Sequence, residues 1–169
     1  MLNRMVIPLV IAFVVIALQL IIIPLIAIHY VIPNVVLIFV VLYALRFGQI
    51  SGMIFGFLVG FFFDLATAGF IGSGMFAFTL SAFVAGYFSK DEYLEVLYDL
   101  KVFLPLILFV STLFFLLYSI LGYQGIEIKQ NYTILLYSLF CGIYTTIFSL
   151  VLLLIPKDKL WVAIILVLI

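Results

Sequence analysis

The chain is built from long apolar runs separated by short polar interruptions. A helix that crosses the ~30 Å hydrocarbon core of a bilayer needs about 20 apolar residues. Charges and turn residues divide the sequence into six such segments, at about 5–28, 32–45, 50–66, 72–88, 102–121 and 132–155. An apolar tail, 160–169, follows the last of them. The pattern predicts an all-α, polytopic membrane protein with six spans in a single transmembrane domain. Pro8 and Pro24 lie inside the first segment, where a transmembrane helix tolerates them. The second segment is short: its fourteen residues from Ile32 to Leu45 cover only about 21 Å. It must extend at its ends, thin the bilayer, or form a hairpin with the third segment, to which the turn Arg46-Phe47-Gly48-Gln49 joins it.

The first segment follows Arg4 and has the look of a signal peptide, but a signal's apolar core is about 7–15 residues. The run from Met5 to Ile28 exceeds that, so a retained span is expected. Charge then orients the chain. With the N-terminus in the cytoplasm, Arg4, Arg46, Lys90, Lys101, Lys157 and Lys159 fall inside and Lys129 alone falls outside. Cytoplasmic loops carry the excess of Lys and Arg, so both termini are expected in the cytoplasm of a bacterial inner membrane.

The third segment carries the most information. Gly52, Gly56, Gly60 and Asp64 recur at every fourth position and so form one helical stripe. Small residues let helix backbones approach closely in lipid, where hydrophobic drive between helices is weak. The fourth segment answers with Ser73, Ala77, Ser81 and Ala85 at the same spacing, beside Ala82 and Gly86. The two small-residue faces are expected to meet each other, or one of them to meet a partner. Asp64 follows three phenylalanines, and an ionisable group in an apolar segment is a candidate site. It has three readings: an acceptor for the following loop and helix start, a site for an ion, proton or ligand, or a partner contact.

Other polar positions add less. Pro33-Asn34 reads as a helix start with Asn34 as its cap. Tyr137, Cys141, Tyr144, Thr145 and Ser149 form a polar row on the sixth segment, facing other helices or lining a cavity. Ser89-Lys90-Asp91-Glu92 matches a capping box and predicts a short amphipathic helix on the cytoplasmic surface. It is either a solvated connector or an acidic contact for a partner. Trp161, beside Lys157 and Lys159, marks the tail as an interfacial anchor or a helix docked on a partner.

Composition closes off several functions. The chain is 169 residues, 69% hydrophobic and 8% charged, with mean hydropathy +1.54 and formal net charge zero. Without a basic patch, nucleic-acid binding has no electrostatic support. Cys141 and His29 are the only residues of their kinds, too few for an intrachain disulfide or a typical metal site of three or four ligands. No metalloprotease, nucleophile-elbow or phosphate-loop motif occurs in its required setting. No enzyme and no cofactor are expected.

From Pro33-Asn34, through Arg46-Phe47-Gly48, Gly52, Phe55-Gly56-Phe57, Gly60 and Asp64-Leu65, to Gly69, Ile71-Gly72 and Ala85-Gly86-Tyr87, the chain resembles the rod shape-determining protein MreD family. The resemblance covers roughly the first half; the second half fits by hydropathy. It implies a non-enzymatic membrane scaffold of the bacterial cell-elongation machinery for peptidoglycan synthesis. That subunit binds MreC and acts with MreB, RodA and a class B penicillin-binding protein. It also implies that Gly56, Gly60, Asp64 and Gly72 are structural signature positions. The implied fold is similar to the substrate-binding subunits of energy-coupling-factor transporters, which allows a central cavity. A competing expectation is therefore a substrate-binding subunit of a vitamin-type transporter, with Asp64, Pro33, Asn34, Tyr137 and Tyr144 as partner or cavity contacts.

Overall fold

A computed structural model describes residues 2–27, 31–89, 99–122 and 131–153. His29, the expected surface helix after Ser89, Lys129 and the tail with Trp161 lie outside the described residues. The regular elements are helical. Helix α1, Leu2–Ile22, takes Pro8 into its interior, but it does not run to residue 28 as its hydropathy suggests. Pro24 lacks an N–H and its ring opposes a continuing α-helix, so the chain tightens into one 3₁₀ turn, Ile23–Ile26.

Helix α2, Val35–Thr67, begins at Asn34, whose side chain accepts from the Leu37 N–H at 2.9 Å. It is not one rod. Gly48 has φ 82° and ψ 179°, a backbone region essentially open only to glycine. There the chain folds back on itself. The Tyr43 and Phe55 rings stack with centroids 4.0 Å apart, although twelve residues along a straight helix would separate them by about 18 Å. A Cβ on Gly52 would fall 2.7 Å from that of Ala44. The two apolar segments read from the sequence are thus the antiparallel arms 35–47 and 49–67, roughly 20 Å and 28 Å long.

Ala68 in the left-handed region (φ 49°) closes α2, and Gly72 (φ 112°) opens helix α3, Ser73–Tyr87. Helix α4, Leu100–Gly122, starts at Asp99, whose carboxylate accepts from the Lys101 N–H at 3.0 Å. Helix α5, Asn131–Leu153, returns alongside α4. Each helix packs on the next in sequence. At the α4–α5 seam Gly142 lies directly against Thr112.

Val35–Thr67, Leu100–Gly122 and Tyr132–Leu150 are long and apolar enough to cross a membrane; Val6–Ile22 and Ser73–Tyr87 are shorter apolar helices. Large apolar side chains such as Val10, Phe13, Ile21, Ile50, Phe109 and Ile147 point outward. That outer surface suits lipid, since all-helical segments leave no backbone group unpaired within it. Inside, Phe63, Phe78, Phe114 and Tyr118 pack ring on ring between the second arm of α2, α3 and α4.

Candidate functional site

The glycine stripe faces α3. A Cβ on Gly56 would sit 2.7 Å from the Phe78 carbonyl oxygen, and one on Gly60 would sit 2.6 Å from the Met75 Cα. Gly86 of α3 approaches the Gln49 Cα equally closely. These are backbone-to-backbone contacts, the closest approach two helices can make. Ser73, Ala77, Ser81, Ala82 and Ala85 all turn inward on α3. The groove is therefore filled by the chain's own next helix. The Ser81 hydroxyl, wholly buried in this seam, has no hydrogen-bond partner among the described residues.

Asp64 ends the stripe and is fully buried. One carboxylate oxygen accepts from the Gly74 N–H at 2.9 Å; the other accepts from Gly72 at 2.8 Å and Met75 at 3.2 Å. The first amides of a helix have no partner within it and carry the positive end of its dipole. Asp64 supplies both the acceptors and the opposite charge from the neighbouring helix. Gly74 has to be glycine for this, because a Cβ there would overlap the carboxylate of Asp64.

A cavity of about 300 Å³ lies at the same end, reached by every helix. Gln19, Asn34, Phe63, Phe114, Ser119 and Tyr137 are among the residues that line it. Gln19 comes from α1, where it sits among apolar neighbours. Its amide donates to the Pro33 carbonyl at 2.8 Å and accepts from the Val35 N–H at 2.9 Å. Asn34 caps α2 and donates its own N–H to the Thr145 hydroxyl at 3.1 Å. This cluster gives the first arm of α2 its start well inside the bundle, which explains its shortness. The Tyr144 hydroxyl donates to the Ile26 carbonyl at 2.9 Å.

Residues 1–156 match the family described as rod shape-determining protein MreD. The chain belongs to the MreD family. This is a family of shape-determining, structural membrane proteins, so the chain has a part in setting rod shape in the cell. The matched span contains the whole glycine stripe, the Asp64 cap and every residue that lines the cavity. No curated protein and no solved structure matches the chain.

Against this family background the structure separates the sequence candidates. It brings Gly52, Gly56, Gly60, Asp64, Gly72, Ser73, Ala77 and Ser81 into one seam between α2 and α3. Asn34 and Tyr137 line the cavity, whereas Asp64 does not. Pro33 and Tyr144 hold the chain together through the Gln19 and Ile26 bonds. Sequence reasoning missed Gln19 and Gly74. Gln19 carried a signal, as the one amide within the first apolar run after residue 5. Gly74 carried none, since its need arises from Asp64, ten residues earlier.

Proposed function

We propose that the chain is a non-enzymatic scaffold subunit of the bacterial cell-elongation complex and that it binds MreC. RodA, a class B penicillin-binding protein and MreB are its wider partners. It spans the inner membrane six times, counting the two arms of α2 separately, with both termini in the cytoplasm. Arg46 and Lys101 support that orientation, since both belong to the Gly48 end of the bundle, away from Asp64. The proposed architecture is that of energy-coupling-factor substrate-binding subunits.

The observation that carries this reading is the way Asp64 is used. The buried carboxylate accepts from three backbone amides, so it serves construction. With the glycine stripe also taken up internally, the helices form a fixed body suited to presenting surfaces. The test is rescue of rod shape in cells depleted of their own MreD. The chain should restore rods, and rounded cells despite normal membrane levels would contradict the proposal.

A second reading, the substrate-binding subunit of a small-molecule transporter, draws support from the cavity. Pockets for small ligands range over about 300–1,000 Å³ and contain a few convergent polar groups. The cavity stands at the lower limit of that range. Vitamin uptake that depends on the chain and on an ATPase module would favour this reading over the scaffold.

A further inference from the structure

We propose that the α2–α3 hairpin is matched to a bilayer thinner than the one α4 and α5 cross, so that phospholipids with short acyl chains line the outer face of α3. This goes beyond the scaffold reading and does not depend on it.

Helix lengths set the mismatch. α3 has 15 residues, about 22 Å, whereas α4 and α5 have 23 each, about 34 Å. The hydrocarbon core is ~30 Å thick. A short helix enclosed by others would need no match to lipid, but α3 is not enclosed. It packs against α2 and α4, and its small residues Ser73, Ala77, Ser81 and Ala85 are buried. Phe76, Phe83 and Tyr87 point away from that packing and are 52%, 42% and 75% exposed. Their spacing places them on one helical face, so a stripe of α3 meets lipid along its length.

The helix has no means of making up the difference. Met75 lies against Gly60 near one end and Gly86 against Gln49 at the other, both at backbone distance, so α3 is fixed against sliding along α2. Asp64 holds the first amides, and Gly72 at φ 112° stops the helix from extending towards its N-terminus. Tilting would only reduce the reach of a short helix across the bilayer. The turn from Ala68 to Gly72 carries no polar side chain, so nothing in it can snorkel to a distant interface. Phe70 and Ile71 in that turn are exposed, and leaving two large apolar groups in water is unfavourable. Tyr87 marks the other boundary, where amphipathic rings are favoured. From Ile71 to Tyr87 the helical rise gives about 24 Å, roughly 6 Å short of the core. Thinning is the response of a bilayer to an apolar length that is too short.

The test uses the full chain with its only tryptophan removed by Trp161→Phe and one reporter added. The reporter is Phe76→Trp on α3 or Phe109→Trp on the exposed face of α4. Each chain is reconstituted in vesicles of bromine-labelled dioleoylphosphatidylcholine, which quenches tryptophan on contact, mixed with an unlabelled phosphatidylcholine. At equal mole fraction, dimyristoleoylphosphatidylcholine should relieve quenching of the α3 reporter at least about twice as effectively as dioleoylphosphatidylcholine. The α4 reporter should show no such preference. The same short-chain preference at both reporters, or none at α3, would overturn the proposal. Absence of lipid quenching at α3 would show that a second copy or another protein covers this face, and would overturn it too. Should the Phe76→Trp chain not fold, Phe83→Trp on the same stripe gives the comparison.

Discussion

A single carboxylate illustrates how much of this protein is decided by local chemistry. Asp64 stood out in the sequence because a charge at membrane depth requires a reason. The structure supplies one: three amides at the start of α3, those of Gly72, Gly74 and Met75, that otherwise would lack partners. Asp64→Asn keeps one acceptor but turns an NH₂ group towards backbone N–H donors. It should lower stability by about 1–3 kcal/mol, read as a reduced melting temperature in detergent. A wild-type melting temperature would show that the ionised form is not needed. Gly74→Ala should be comparably damaging, because its Cβ would overlap the same carboxylate. Gly122→Ala makes a good control, since a Cβ there meets nothing within 4 Å among the described residues. That Asp64 matters was legible from its apolar context, and so was its reading as an acceptor for the following loop and helix start; that residue 74 must be glycine was not, since the overlap arises only from where the carboxylate comes to rest.

At the scale of elements, the hydropathy pattern placed the helices well and misplaced one end. Apolar composition runs unbroken across Ile22 to Ile28, so hydropathy does not show the 3₁₀ turn there; its only mark in the sequence is Pro24 itself. The short second segment was a correct warning. Its length deficit is met by the fold-back at Gly48 and by the polar cluster of Gln19 and Asn34. Partners of that kind cannot be read from periodicity, because they depend on which helices become neighbours. Gly48→Ala has open space for its Cβ among the described residues but the wrong backbone (φ 82°), so it should cost about 1–3 kcal/mol through strain alone. Gly60→Leu should act differently, forcing the second arm of α2 away from Met75 and lowering the amount of folded protein in the membrane. Quantitative immunoblots of membrane fractions, with Gly122→Leu for comparison, distinguish the two. Equal abundance of Gly60→Leu and wild type would remove the stripe from the account.

For the whole molecule, two small-residue helices locked by a buried cap form one side, and a cavity opens beside them. Gln19 ties α1 to the start of α2, since its amide satisfies the Pro33 carbonyl and the Val35 N–H together. Gln19→Leu should strand both groups and destabilise the chain by about 2–5 kcal/mol, measured as loss of monodisperse protein on gel filtration; an unchanged profile would show that water or another group replaces it. Membership of the MreD family ties this body to rod shape, and the glycine stripe and Asp64 are taken up in construction. Affinity purification of the full chain from membranes tests the proposed scaffold role most directly. The account predicts that MreC is recovered with the wild-type chain and is lost with Gly60→Leu. Recovery of a small ligand and an ATPase module, with no MreC, would contradict it.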